Sequence, residues 1–452
     1  MNWPAYAERK DSGIRWLGEI PEHWRVDRIK WSVESSQNGI WGSEPDGGLD
    51  DIRCVRVADF DRPTFGVHDR DVTYRKVTES ERRGRLLRNG DLILEKSGGG
   101  EKNPVGFVVL YDRDEPAVTS NFVARVTLRS GMESRFWTYL HHWLYSSRLT
   151  QPSIKQTSGI QNLDQQSYFD ERVCFPPAAE QVLIADFLDC ETAKIDALIT
   201  KQEQLIATLR EDRAATVTQA VTKGLEPDVE MKDSGAPWLG PVPLHWIPCR
   251  LKHSIASIAS GTSVNGADVP ASADEIGVLK TSCVSAGWFN QHANKTVIDD
   301  DLDRASCEVT ADTLIVNRAN TPALVGSSGY VAESRPNLYL SDKLWQVTFD
   351  RALAEFIYYW TGTAVYRSQI AANCVGASSS MQNLSMTDFE NIDIAIPPVN
   401  EQESIVAFLS SRVGRIDALI DKSVDMIETL REYRSALITD AVTGKIDVRE
   451  AS

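Results

Sequence analysis

Between about Glu180 and Val221, apolar residues stand at Leu188, Ile195, Leu198, Ile199, Leu205, Ile206, Leu209, Val217 and Val221, the spacing of one stripe along a helix. The stripe recurs downstream as Ile405, Phe408, Leu409, Ile416, Leu419, Ile420, Ile427, Leu430, Leu437 and Val442. Leu409, Ile416, Leu430 and Leu437 are separated by multiples of seven, as along a coiled-coil seam. The pattern predicts long helices over 178–224 and 399–443, each roughly 60 Å at ~1.5 Å per residue. Helices of that length need a partner along their sides, and antiparallel pairing with each other supplies one. Pro176 and Pro177, like Pro397 and Pro398, end the preceding strand and set up the helix start, while Gly224 and Gly444 close the helices. Shorter runs such as DLILEK, VGFVVLYD, FVARVTL, TLIVNR and LWQVTF read as strands, and Phe136–Ser146 and Glu355–Tyr366 as short aromatic-rich helices.

The two stripes are part of a larger self-similarity. DSGIRWLGEIPEHW, Asp11 to Trp24, returns as DSGAPWLGPVPLHW, Asp233 to Trp246. FPPAAEQ from Phe175 leads into IDALI, IATLRE and AVTKG, and IPPVNEQ from Ile396 into IDALI, IETLRE and AVTGK. In the middles, GDLIL at Gly90–Leu94 faces ADTLI at Ala311–Ile315, which puts Lys96 and Asn317 at one repeat position, and Ser97 and Arg318 at another. The period is too long for a solenoid, so the chain is one unit duplicated. The expected fold is α+β: two globular domains of mixed strands and short helices, separated by two long antiparallel coiled-coil helices in a pseudo-twofold internal repeat. The expected boundaries are an N-terminal segment 1–24, domain 1 at 25–177, long helix 1 at 178–224, linker and repeated WLGxxPxHW segment at 225–246, domain 2 at 247–398, long helix 2 at 399–443 and a tail at 444–452. By the path of the first copy, the C-terminus returns toward Asp11, a circular organisation. The copies agree at their ends and diverge in their middles, which suggests two related sites of different specificity.

With 452 residues the chain exceeds what one core usually supports. It has no apolar run long enough to cross a bilayer and no leader-like start, so no membrane role and a cytoplasmic location are expected. The seven cysteines are scattered without metal-ligand spacing and read as small buried side chains. A net charge of -16 argues against a nucleic-acid partner until it is located. Residues 25–172 carry 22 charges of each sign, with a basic cluster at Arg82, Arg83, Arg85 and Arg88. Most of the acidity lies in the helices and terminal segments, which suits protein partners there.

No catalytic site is visible, and no metal site or cofactor is expected. NPVG at Asn103–Gly106 lacks the aromatic of an amino-methyltransferase motif. Asp91, Glu95 and Lys96 lack nuclease spacing, and SGGGEK at Ser97–Lys102 does not satisfy a phosphate loop. His23 and His245 read as packing beside Trp24 and Trp246. Forked or amide donors read base edges, while lysines, hydroxyls and backbone amides hold phosphates. The DNA-binding candidates are therefore Arg53, Arg56, Lys96, Ser97, Lys102, Lys155, Gln156 and Thr157 in the first copy. In the second they are Lys280, Thr281, Ser282, Asn317, Arg318, Asn320, Ser379 and Gln382. Solvated strand ends account for part of this set.

The repeated WLGEIPEHW, GDLIL, IQNLD and PPxxEQ elements, followed by IDALI and TLRE helices, resemble the specificity subunits of type I restriction-modification systems over nearly the whole chain. That resemblance implies a non-catalytic subunit whose two target-recognition domains each read half of a bipartite site in double-stranded DNA. It further implies long helices that set the spacing and dock two methyltransferase (modification) subunits, with restriction/translocase subunits joining peripherally. Helix residues expected at the partner surface are Ile195, Leu198, Leu209, Ile416, Leu419 and Leu430. The alternative from another class is a coiled-coil scaffold with two peptide- or protein-binding domains. A restriction enzyme with fused catalysis is opposed by the missing motifs.

Overall fold

The computed structural model describes residues 3–157, 159–378 and 381–450. The chain divides into two compact units, Met1–Gln202 with Asp425–Ser452, and Glu203–Val424. Each unit holds one globular domain, the first part of the long helix that follows it, and the last part of the other long helix. The helices run Ala178–Lys223 and Val399–Val442. Within the first unit, Asp196 meets Arg434 while Cys174 Sγ meets the Val442 carbonyl; within the second, Arg213 meets Asp417 while Gly224 lies beside Glu401. From the strand before the first helix to the residue after it, rising numbers meet falling numbers on the second helix, so the paired segments are antiparallel. Leu188, Ile195, Leu437 and Ile438 are buried in the first core, and Val217, Ile405, Leu409 and Val413 in the second.

Each domain is built on a four-stranded antiparallel sheet of the same order. In the first unit the order is Val108–Tyr111, Asp91–Glu95, Val123–Leu128, Val33–Asn38. In the second it is Ser328–Val331, Thr313–Asn317, Leu344–Phe349, Ile255–Ser260. The central strands Asp91–Glu95 and Thr313–Asn317 are buried throughout, the mark of a strand covered on both faces. A second sheet in each unit contains one parallel pair, Ala117–Thr119 with Asp51–Val55, and Arg335–Tyr339 with Gly277–Leu279.

Two sequence expectations need correction. The GDLIL match is displaced by one residue: Asp91 pairs with Tyr111 and Thr313 with Val331, so Asp91 corresponds to Thr313, Glu95 to Asn317 and Lys96 to Arg318. A one-residue slip in a strand exchanges its two faces, and burial sets the register. In the correct register the buried Asp91–Arg125 ion pair (2.7 Å) is matched by the neutral pair Thr313 and Gln346 (3.5 Å), so the same cross-link is made with different charge. The expected helix Glu355–Tyr366 is two helices, Ala354–Thr361 and Ala364–Asn373. Gly362 ends the first, and Thr363 caps the second by accepting from the Tyr366 N–H at 3.3 Å. Its counterpart Ser134–Ser146 is continuous.

The repeated motifs meet each other. His23 and Trp24 of PxHW both bond to Glu180 of the EQ dipeptide, at 2.8 and 3.0 Å, and the Tyr6 hydroxyl donates to the same carboxylate. His245 and Trp246 reach Glu401 at 2.7 and 3.1 Å. Gln181 donates to the Pro176 carbonyl (3.0 Å) and accepts from Glu133 N–H (3.0 Å). Gln402 does the same with Pro397 (2.9 Å) and Leu353 (2.8 Å). The two motifs far apart in sequence are halves of one polar lock, buried at its tryptophans, that fixes where each long helix leaves its domain.

Candidate nucleic-acid interface

In the first unit, sequence-distant candidates gather at one hairpin. Lys155 and Gln156 lie on Ile154–Thr157, paired with Ile160–Leu163. Ser97 bridges to Asn162 and its Oγ contacts Asn162 Oδ1 at 2.7 Å, while the Leu163 N–H donates to the Lys96 carbonyl at 2.8 Å. The central sheet strand is thus stapled to the hairpin, which brings residues 96–97 and 155–156 together. Burial lowers the pKa of the Lys96 ammonium, and Lys155 is exposed but paired with Asp164 at 2.6 Å. Lys102 is exposed in the neighbouring glycine-rich loop.

Arg56 and Ser97 line a cavity of about 400 Å³ together with Trp41, Glu95, Asn121 and Phe122. Trp41 and Phe122 are partly exposed, an arrangement that offers flat apolar faces beside hydrogen-bonding groups. Arg56 is held by Asp59 (2.7 Å) and the Asp71 carbonyl (3.1 Å), which fixes the plane of its guanidinium. Burial raises the pKa of the Glu95 carboxyl against the opposing pull of Arg62, 2.9 Å away. Sequence reading missed Trp41, Asn121 and Phe122, which come from loops with no periodic signal.

Arg53 does not join this face. It is 4% exposed, and its guanidinium donates to Asp69 (2.8 Å), Glu115 (3.0 Å) and the His68 carbonyl (3.0 Å). A buried guanidinium needs all its donors paired, and this one serves as an internal cross-link.

In the second unit Lys280 and Thr281 line a cleft of about 330 Å³ with Lys295 and Lys343. Lys280 pairs with Asp268, and Lys295 donates to the Val264 carbonyl at 2.8 Å. Arg318 reaches the Asp342 carbonyl at the rim of the cleft (2.7 Å), Ser282 is exposed, and Asn320 sits opposite Gln382 in a strand ladder. Asn317 is corrected: it is fully buried and accepts from the Ala319 N–H at 3.3 Å, a scaffold role. Ser379 lies outside the described residues. Lys295 and Lys343 were missed because isolated lysines carry no pattern until the fold collects them.

Of the six helix residues expected at a partner surface, Ile195 and Ile416 are buried, and Leu209 and Leu430 are half-buried. Ile195 and Leu430 pack together in the first core. Leu198 and Leu419, 48% and 50% exposed, face outward, and they occupy the same position of the repeated IDALI. Among the described residues there is no cluster of potential metal ligands and no helix long and apolar enough to cross a membrane.

A family model described as the type I restriction modification DNA specificity domain matches residues 263–428. The chain is 26% identical over 241 residues to the type I restriction enzyme EcoEI specificity subunit of Escherichia coli, covering 53% of this chain and 40% of that subunit. It is 21% identical over 444 residues to the putative type I restriction enzyme MjaX specificity subunit of Methanocaldococcus jannaschii, 96% of each chain. The chain is similar to the type I restriction-modification specificity subunits. A chain from a solved structure concerned with complex assembly and conformational transition of the type I R-M system has the same fold. Its TM-score is 0.69 at 14% identity, over 94% of this chain and 99% of that one. The relatives named in these matches are specificity subunits of type I restriction enzymes. The alignment with the EcoEI subunit spans less than half of that relative's length.

Proposed function

We propose that this chain is the subunit of a type I restriction-modification complex that selects its DNA sequence, each globular domain reading one half of a bipartite duplex site. The observation that carries the reading is the contrast between two equivalent frames. One presents an aromatic cavity with Arg56, Ser97 and Asn121, the other a cleft with Lys280, Lys295 and Lys343. Planar and amide donors discriminate base edges, whereas lysines hold phosphates with little discrimination. The domains 25–177 and 247–398 are the recognition domains in this account. Long helices 178–224 and 399–443 act as the spacer and carry two modification subunits, with restriction/translocase subunits added outside them, in the cytoplasm.

The net charge of -16 makes tight DNA binding a property of the complex, since the chain alone repels phosphates over much of its surface. The helix contact is assigned to the outward Leu198 and Leu419. Leu198→Asp or Leu419→Asp should each remove one modification subunit in size-exclusion chromatography with light scattering, and the double variant both. Full assembly of the double variant would refute that assignment. For DNA, Trp41→Ala and Asn121→Ala in the assembled complex should relax selectivity for one half-site only. Equal loss at both halves would refute the division of labour.

A further inference from the structure

Each unit carries the same ion pair between its helix segments. Arg434 meets Asp196 at 2.9 Å in the first unit, and Arg213 meets Asp417 at 2.9 Å in the second. The two arginines share one repeat position, as do the two aspartates. What covers the guanidinium differs. In the first unit the Phe65 ring lies 4.9 Å from the Arg434 guanidinium, which also donates to the Pro63 carbonyl at 2.8 Å. Phe65 is buried against Tyr139 and His142, with ring centroids 5.8 and 4.1 Å away. It is held at φ 59°, a left-handed conformation that a bulky residue keeps only when its surroundings impose it.

The helices beside these arginines can be matched bond by bond. Glu133 and Leu353 N–H groups donate to Gln181 and Gln402, and the Tyr139 and Tyr359 hydroxyls reach Asp189 and Ser410. In that register His142 corresponds to Gly362. The ring that backs Phe65 in the first unit is therefore missing from the second. Beside Arg213 there is a cavity of about 320 Å³, lined by Gly287, Tyr358, Gly362 and Arg367 among others. Exposure of the arginine side chain follows: 13% for Arg434, 37% for Arg213.

We propose that this cavity receives one aromatic side chain presented by a partner protein, with Arg213 against its ring as Arg434 lies against Phe65. A guanidinium is attracted to the negative face of an aromatic ring, and more strongly once water is displaced. Glycines in the lining let the incoming segment approach the backbone closely. The first unit also shows what that segment must offer besides the ring, a carbonyl acceptor two residues before it, as in Pro63 and Phe65. Because the first unit fills its own position, the second unit alone presents the site among the described residues. A partner that uses it distinguishes the two halves of an otherwise pseudo-symmetric protein. The inference does not depend on which DNA the chain reads.

The probe is a peptide with the sequence of residues 60–67, carrying 4-fluorophenylalanine at the position of Phe65, titrated into the full chain and followed by ¹⁹F NMR. Saturable binding at one site is expected, weakened at least tenfold by Gly362→His, which supplies the missing ring from inside. Gly362 has φ -75°, which any residue adopts, and an added Cβ would meet the Tyr359 carbonyl at 3.2 Å, a contact that a shift of a few tenths of an ångström relieves. Arg213→Gln, a second variant at a half-exposed position, should weaken binding as well. The proposal is overturned by any of four results: no saturable binding to the unaltered chain, undiminished binding to both variants, displacement of the peptide by duplex DNA, or binding that appears only after Trp288→Ala. The last would mean that the chain's own exposed Trp288, next to Gly287, closes the cavity.

Discussion

Replacing Glu180 by alanine should destabilise the protein far more than the equivalent Glu401→Ala. Glu180 is buried and accepts from the Trp24 indole N–H at 3.0 Å and from the Tyr6 hydroxyl, both donors being buried themselves; His23 is substantially exposed. Burial, and then the bond to Glu180, push the Tyr6 hydroxyl pKa well above the ordinary tyrosine value, so it stays a donor throughout the accessible pH range. A buried donor left without an acceptor costs about 1–3 kcal/mol, toward the upper end when the lost acceptor is charged. Two such donors give about 3–5 kcal/mol for Glu180→Ala. At Glu401 only the Trp246 indole N–H is fully buried, His245 is half-exposed, and the position matching Tyr6 is Asp228. The expected cost there is about 1.5–3 kcal/mol. For a unit of this size, ~2–4 °C per kcal/mol puts the melting shift of Glu180→Ala at about 10 °C, roughly twice that of Glu401→Ala. Thermal unfolding by differential scanning calorimetry, with Glu180→Gln as the variant that keeps an acceptor, measures it. The reasoning fails if Glu180→Ala shifts melting by less than about 2 °C, or if the glutamine is as damaging as the alanine.

Three further outcomes follow from the same structure. Burial pushes His141 down to about 3, and burial aided by the nearby Arg434 charge pushes His142 down to about 4, from an ordinary value of 6.5. Both stay neutral when folded while the unfolded chain takes up protons, so the stability they contribute is present above pH 6.5. It is lost as pH falls toward 4, at about 1.4 kcal/mol per site for each pH unit. Urea midpoints across that window should fall less steeply for His142→Phe than for the unaltered chain, and an identical slope would refute the assignment. Arg53→Ala should lower stability by about 1–3 kcal/mol without altering which DNA is preferred, because its partners are internal; changed selectivity with unchanged stability would return it to the reading face. Phe122→Ala should leave melting within about 1 kcal/mol, as for an exposed side chain, while weakening sequence-specific binding by the complex in fluorescence anisotropy.

What could be read from the sequence was whatever repeats or has a period. The apolar stripes located both long helices to within a few residues because a helix packed along its length must keep such a stripe. The duplicated PxHW and EQ motifs marked the frame because they are two sides of one hydrogen-bond lock. Side-chain direction was not legible. Arg53 and Asn317 have the chemistry of base readers but point inward, and Leu198 and Ile195 sit three residues apart in one motif with opposite fates. The break at Gly362 was hidden inside an apolar run that favours continuation, although the glycine and the capping Thr363 are the signals for it. The cavity of the first domain joins Trp41, Arg56, Ser97 and Phe122 from four loops, and only the sheet that carries them makes them neighbours.

The central claim is that two dissimilar faces on one repeated frame select the two halves of one DNA site. Mapping methylated bases across the host genome tests it directly, with the gene intact, deleted, and carrying Trp41→Ala with Asn121→Ala. One split motif should be methylated in the intact strain, lost on deletion, and degenerate in one half only in the double variant. A methylation pattern unchanged by deletion would contradict the claim.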